Sequence, residues 1–167
     1  MKTVMTTLAV ILGLLFLATS ITMIVKSIQF DQQCGGYLKR AADANTVEMA
    51  KDQLKISIDY IEINNLTNGY TSVLYNTPDE DLGFWYKNIT NSYKELVNIP
   101  DSASALLKSN MLMKLRETLL DKGKKGDDIN LPNGISRYPH NLLFGIMFWF
   151  SILLCLLCAT ISAVMYD

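Results

Sequence analysis

Two long uncharged apolar runs, one near each end of the chain, restrict the fold more than any other feature of the sequence. The first covers residues 3–25 and the second residues 142–165, which makes 23 and 24 residues without a charged side chain. Since a helix rises about 1.5 Å per residue, about 20 apolar residues cross the ~30 Å hydrocarbon core of a bilayer. The sequence therefore predicts an integral protein of the cell or inner membrane, with the lipid bilayer as its first partner.

The charged residues divide the chain into three parts. Lys2 is the only charged residue before the first run and Asp167 the only one after the second, so all other charged side chains lie between the runs. We predict a first transmembrane helix at residues 1–26, an extramembrane domain at residues 27–140 and a second transmembrane helix at residues 141–167. Function is then expected in the domain or within the membrane.

Two spans place both termini on the same side of the membrane. Lys2 and the terminal amine favour a cytoplasmic N-terminus, which makes the central domain extracytoplasmic. The alternative for the first run is a secretory signal peptide, with the small residues Ala18, Thr19 and Ser20 as its cleavage site. The 23-residue run is longer than the ~7–15 residues of a signal-peptide core, which favours a span.

Two segments of the domain have helical periodicity with clear start signals. Over residues 46–64, apolar residues recur at three- and four-residue steps, and Asn45 with Glu48 has the spacing of a capping box. The second segment begins at Thr77 and Pro78, which combine an N-cap with a proline at the first helical position. Its predicted core face consists of Leu82, Trp85, Ile89, Tyr93 and Leu96.

The remaining segments complete a prediction of an all-α fold. Gly35 and Gly36 predict a break or kink after the first span, and a third helix is expected from residue 101 or 102 to about residue 121. If the first of these helices leads away from the membrane, the third does so too, and residues 122–140 return as an irregular loop. Two transmembrane helices then flank a small extramembrane bundle of about three helices.

Patterns of enzymes and metal sites are absent from the sequence. It has no Gly-rich phosphate loop, no nucleophile elbow and no His–Cys metal spacing, and its only histidine is His140. The acidic stretches at residues 79–81 and 127–128 lack the spacing of a calcium loop. The balance of 15 basic and 16 acidic residues gives no nucleic-acid footprint. We expect no catalytic or metal site, no cofactor and no nucleic-acid partner.

Aromatic residues form the candidate surface for a partner or ligand. Trp and Tyr combine a large apolar area with a polar group, which suits recognition. Core packing is the favoured interpretation for the group as a whole, above all for Trp85, because it lies on the predicted core face of its helix. The candidate residues are Tyr70, Tyr75, Phe84, Trp85 and Tyr86.

Small residues within the two runs predict close helix packing. Neither run contains an ionisable residue, which argues against a proton relay or a transport site. Small faces let helices approach, so the spans are expected to pack on each other or on a partner. The candidate packing residues are Ala9 and Gly13 in the first run and Ser151, Cys155, Ala159 and Ala163 in the second.

Cys34 is the only cysteine outside the two runs. A single exterior cysteine could form a disulfide between two chains, but a buried or simply unpaired thiol is the favoured interpretation, because connectivity cannot be read from one cysteine.

These observations favour a non-enzymatic, membrane-anchored helical scaffold or accessory subunit that docks on another membrane protein or on a second copy of itself. Two alternatives stay open. One is a ligand-sensing or solute-binding domain that acts through a partner, and the other is a small membrane-active oligomer.

Overall fold

The computed structural model describes residues 2–123 and 126–164, and within them the side chains of residues 3–121 and 128–161. Long apolar helices at both ends flank a small helical domain, which confirms the predicted all-α fold. The helices are α1 (Lys2–Phe30), α2 (Gly36–Ala42), α3 (Val47–Ile63), α4 (Leu82–Val97), α5 (Ala105–Leu119) and α6 (Asn141–Val164). The strands are β1 (Leu120–Gly123) and β2 (Gly126–Ile129).

Helices α1 and α6 pack side by side as an antiparallel pair, and each is long and apolar enough to cross a membrane. The rings of Phe16 and Phe148 lie 5.1 Å apart, and the Cys155 thiol lies 3.7 Å from the carbonyl oxygen of Ala9. Five of the buried and half-buried residues of α1 follow one another at alternating three- and four-residue steps, which is the 3.5-residue period of helices that pack along their length. They are Ala9, Leu12, Phe16, Thr19 and Met23.

The predicted break at the paired glycines is absent, and a π-helical turn interrupts the regular α-helix there instead. Residues Asp31–Gly35 form a π-helical turn, and α2 follows directly, which makes one continuous helical segment from Lys2 to Ala42. Gly35 keeps helical dihedral angles, with φ −55° and ψ −48°. It is buried where the side chains of Phe30 and Ile129 approach it, and this packing offsets the conformational freedom of glycine.

Helices α2 to α5 form an antiparallel bundle at the end of α1. Because α1 continues into α2, the bundle has one helix more than predicted among the residues that the structure describes. Helix α3 therefore returns toward the α1–α6 pair, where Asn68 accepts a hydrogen bond from Tyr138 at 3.1 Å. We refer to this end of the domain as the near end and to the opposite end as the far end.

The predicted core faces of α3 and α4 form the centre of the bundle. On α4, Tyr93 is half-buried and the other four predicted residues are buried. The fully covered large side chains include Leu38, Leu54, Ile61, Leu82, Ile89 and Leu96. Apolar periodicity therefore identified the residues that hold the domain together.

Three helices begin later than predicted, and a polar side chain caps each of them. Thr46, rather than Asn45, caps α3 by accepting a hydrogen bond from a backbone N–H. Asp81 caps α4 four residues after Thr77, because residues 78–80 form a separate 3₁₀ turn. Ser104 caps α5. Neighbouring Ser, Thr, Asp and Asn side chains compete for such a position, and tertiary packing selects among them.

The predicted irregular return loop contains a β-hairpin. Strands β1 and β2 pair antiparallel with Leu120 opposite Ile129. The chain then continues without regular structure to α6, apart from a 3₁₀ turn at Ile135–Arg137. Leu120 belongs to the domain core and Ile129 packs against it, so the hairpin covers one side of the bundle.

Candidate functional site

The aromatic residues predicted to share one surface lie in different places. Trp85 is only 8% exposed, and its indole N–H donates a hydrogen bond to the carbonyl oxygen of Asn130 at 2.9 Å. Tyr86 is half-buried, and its hydroxyl lies 2.7 Å from the carboxylate of Glu62 on α3. Both side chains therefore serve contacts within the domain.

The other three aromatic residues are exposed but are divided between two regions. Tyr70 and Tyr75 belong to the segment between α3 and α4, where they are 40% and 77% exposed. Phe84 is 63% exposed and lines a cavity between α4 and the hairpin. The structure therefore brings Phe84 next to Trp85 but does not assemble a surface from all five residues.

Helix α3 carries apolar side chains on the face that points away from the core. Met49, Ile56 and Ile63 are 54%, 41% and 79% exposed. They follow one another at seven-residue steps, so they form one line along the 17-residue helix. Since each residue turns the helix by about 100°, Ile56 lies about 160° from the buried Leu54. We call these three residues the outer stripe.

One flank of the outer stripe is formed by Gln53 and Tyr60, which are half-buried. Together with the outer stripe, these two residues form a series spaced by alternating four and three residues. This is the period of a helix that packs along a second helix. The side-chain oxygen of Gln53 is buried and has no hydrogen-bond partner within the described part of the chain. The ring of Tyr60 packs edge-on against Phe30, with centroids 5.9 Å apart, so this flank adjoins the continuous helix.

The opposite flank of the outer stripe is charged. Lys55 and Asp59 form an ion pair one turn apart, and Glu62 accepts the hydrogen bond from Tyr86. An apolar line with a polar border has the anatomy of a protein interface, in which an apolar centre is surrounded by a polar rim.

A second candidate is the cavity of about 570 Å³ between the start of α4 and the hairpin. Among the residues whose side chains the structure describes, its lining combines the rings of Phe84 and Trp85 with four carboxylates and no basic side chain. The carboxylates belong to Asp79, Asp81, Asp121 and Asp128. The described lining is therefore electronegative and suits an organic cation better than an anion.

The cavity does not have the geometry of a metal site. One of its carboxylates is already engaged, because an oxygen of Asp81 accepts hydrogen bonds from the N–H groups of Gly83 and Phe84 at 2.8 and 3.1 Å. Over residues 2–123 and 126–164, no three His, Cys, Asp or Glu side chains converge as metal ligands. His140 lies apart from the cavity, exposed just before α6.

Cys34 is buried in the domain core, which agrees with the favoured interpretation of a buried thiol and contradicts the alternative of a disulfide between two chains. Its side chain is 0% exposed, and its thiol lies 3.9 Å from the carbonyl oxygen of Ser57. The Ser57 hydroxyl in turn donates to the carbonyl oxygen of Cys34 at 3.2 Å. Burial raises the pKa of the Cys34 thiol to about 12. A covered, protonated thiol cannot reach a second chain in this fold.

The small residues predicted to line the helix pair are divided between its contact face and its outside. Ser151 is fully buried and Cys155 contacts α1, but Ala159 is exposed and the neighbouring Cys158 is buried instead. Residues four apart on a helix are rotated by about 40° relative to each other. A stripe of four-residue steps therefore winds away from a straight line of contact.

The other three predicted packing residues are Ala9, Gly13 and Ala163. Ala9 contacts Cys155 through its carbonyl oxygen. Gly13 is half-buried, and no atom lies within 4 Å of the position that a Cβ would take there. The side chain of Ala163 lies outside the described residues.

The outer stripe is the feature that the sequence prediction missed. Its signal is present as three apolar residues at seven-residue steps, but the stronger core pattern of the same helix obscures it. The three- and four-residue steps that join Met49, Gln53, Ile56, Tyr60 and Ile63 beside the core face would have identified it.

No protein-family model, curated protein or solved structure matches this chain. Because fold alone does not determine function, the function has to be argued from the geometry of its surfaces.

Proposed function

We propose that this chain is a non-enzymatic, membrane-anchored accessory subunit whose domain docks on a helix of a neighbouring membrane protein. The observation that carries this proposal is the outer stripe. Its three large side chains lie in line on a helix whose opposite face is already filled by the domain core. Exposed apolar residues in such an arrangement mark interaction surfaces, and seven-residue spacing suits a partner helix.

The position of α3 supports a partner that is itself in the membrane. In this proposal α1 and α6 are the anchor, both termini are cytoplasmic and the domain is extracytoplasmic. Helix α3 runs between the far and near ends, and Ile63 at its end is the most exposed residue of the stripe. A partner helix that emerges from the bilayer beside α1 meets the stripe along its length.

A ligand-sensing domain is the second candidate function, and the electronegative cavity favours it. Aromatic rings beside carboxylates are the surroundings in which proteins hold organic cations. This candidate predicts that a polyamine such as spermidine raises the melting temperature of the domain. The substitution Asp128→Asn removes one negative charge from the cavity lining, and it is expected to reduce this rise in melting temperature.

Site-specific photocrosslinking in the native membrane tests the docking proposal. A photoreactive residue at position 56 lies in the outer stripe, and one at position 91 lies at an exposed site on α4. We expect position 56 to crosslink one membrane protein in high yield and position 91 to yield none of that product. Crosslinking to a second copy of this chain would show that the partner is the chain itself and that it forms a homo-oligomer.

Two outcomes would contradict the docking proposal. One is the absence of any product from position 56 in the native membrane. The other is the same mixture of products from positions 56 and 91, which would show random collisions rather than a specific surface.

A further inference from the structure

The segment between α3 and α4 exposes apolar side chains that neither the core nor the outer stripe explains. Val73, Leu74 and Tyr75 are consecutive and are 47%, 82% and 77% exposed. Exposed apolar area is unfavourable in water by about 25 cal/mol per Å². Three such neighbouring side chains are therefore expected to be covered by lipid or by another protein surface.

Hydrogen bonds fix the base of this loop at the start of α6. The carbonyl oxygen of Thr71 accepts a hydrogen bond from the Asn141 side chain at 2.5 Å. The N–H of Thr71 donates to the carbonyl oxygen of Glu80 at 3.1 Å, which closes the loop at its neck. Asn141 is the first residue of α6, and the uncharged run begins at the next residue. The loop therefore leaves the domain at the level where α6 becomes apolar.

The position of Arg137 marks the same level on α1. Arg137 lines a cavity of about 310 Å³ together with Met23 and Ile24 at the end of the first apolar run and Ser27 just beyond it. No carboxylate pairs with Arg137 among the residues that the structure describes. An arginine beside the end of a spanning helix places its guanidinium among lipid phosphates. Both spans thus locate the headgroup layer at the neck of the loop.

We propose that Val73, Leu74 and Tyr75 insert into the boundary between headgroups and acyl chains of the leaflet from which the domain emerges. The occupant of this surface is lipid, because the neck of the loop is held where the lipid-facing run of α6 begins. The two aliphatic side chains enter the acyl region, and the tyrosine suits the interface because it carries a polar group on an apolar ring. Insertion gives the domain a third attachment to the membrane besides its two spans, and it is independent of docking through α3.

Fluorescence of the full-length chain in phospholipid nanodiscs tests this inference. An environment-sensitive fluorescent amino acid replaces Leu74 in one variant and Leu106 in a matched variant. Both positions carry an exposed leucine, 82% and 71% exposed, but Leu106 lies in the first turn of α5, away from the near end. We expect blue-shifted emission at position 74, with quenching by lipids brominated at a depth of about 5–10 Å. Position 106 is expected to emit as in water.

Each other outcome overturns the inference. Water-like emission at position 74 would show that the loop stays in solvent. Blue-shifted emission without quenching by brominated lipid would show that protein, rather than lipid, covers the loop. Equal quenching at positions 74 and 106 would show that the whole domain lies on the bilayer and that the loop has no special role.

Discussion

Trp85 joins the helical core to the irregular segment that precedes α6. Its ring packs in the core, and its indole N–H bonds to Asn130 just after β2. One side chain therefore combines apolar burial with a hydrogen bond to a segment that has few regular contacts of its own. Phe84, its neighbour in sequence, is exposed and makes no comparable contribution.

Replacement of Trp85 should therefore destabilise the domain. We expect Trp85→Ala to lower the free energy of unfolding by ~3–5 kcal/mol, because it leaves a cavity and an unpaired carbonyl group. Phe84→Ala is the matched control and should change it by less than about 0.5 kcal/mol, since that ring is 63% exposed. Denaturant unfolding of the full chain in nanodiscs measures both values. Equal losses in the two variants would contradict the burial of Trp85.

Cys34 gives the domain a predicted dependence on pH. Because its pKa rises from 9.0 to about 12 on burial, the folded chain keeps a proton that the unfolded chain loses above pH 9.0. The contribution of Cys34 to stability is complete below that pH and declines as the pH rises toward 12. The difference in unfolding free energy between the native chain and Cys34→Ala should therefore fall above pH 9.0, and a constant difference would show that the thiol is not desolvated.

At the scale of the element, the π-helical turn links the apolar helix α1 to the bundle. A Cβ added at Gly36 would lie 2.9 Å from the carbonyl oxygen of Asp31, because the wider turn brings that group close. The π-helical turn departs locally from α-helical geometry, and the missing side chain at Gly36 leaves space for the carbonyl group of Asp31. The same helix contains Gly13, where an added Cβ meets nothing within 4 Å.

The two glycines should therefore respond differently to alanine. Gly36→Ala is expected to destabilise the domain by about 1–3 kcal/mol, because the clash forces a backbone shift. Gly13→Ala is expected to be neutral or to stabilise the helix by up to about 1 kcal/mol. Thermal unfolding monitored by circular dichroism compares the two. A similar small effect at both positions would mean that the π-turn is easily removed.

The contact face of the helix pair gives a second prediction at this scale. Ser151→Leu places a large side chain where the present one is 0% exposed, so it should weaken the packing of α1 on α6 by about 1–3 kcal/mol. Ala159→Leu lies on the exposed side and should have little effect. Crosslinking yield between cysteines that replace Phe16 and Phe148, whose rings now lie 5.1 Å apart, measures the packing in each variant. A larger loss of crosslinking yield with Ala159→Leu than with Ser151→Leu would show that the four-residue stripe is the contact face.

Sequence patterns predicted some elements well and others poorly, for physical reasons. The core faces of α3 and α4 follow from helical periodicity, which is a property of each segment alone. The hairpin was not predicted because the pairing of Leu120 with Ile129 depends on a core built by distant residues. Burial of Cys34 depends in the same way on the contact with Ser57 across the bundle, 23 residues away in sequence.

At the scale of the whole molecule, one continuous helix from Lys2 to Ala42 ties the apolar helix pair to the domain. This connection, rather than a flexible linker, holds α3 in a defined direction beside α1. In our account the loop at residues 73–75 rests in lipid, and the outer stripe of α3 faces sideways along the membrane surface. A surface held in this way suits docking on a neighbour in the same membrane.

Recovery of the bound partner from native membranes in a gentle detergent tests the docking account most directly. The test variant carries Met49→Ser, Ile56→Ser and Ile63→Ser, and the control carries Leu106→Ser, Leu107→Ser and Met113→Ser at exposed apolar sites of α5. Both variants should fold as the native chain does. Burial of one large apolar side chain contributes about 1.5–3 kcal/mol and 1.4 kcal/mol is about a tenfold change in affinity, so the stripe variant should lose its partner at least about tenfold. The control should retain the partner, and equal recovery with both variants would contradict docking through the outer stripe.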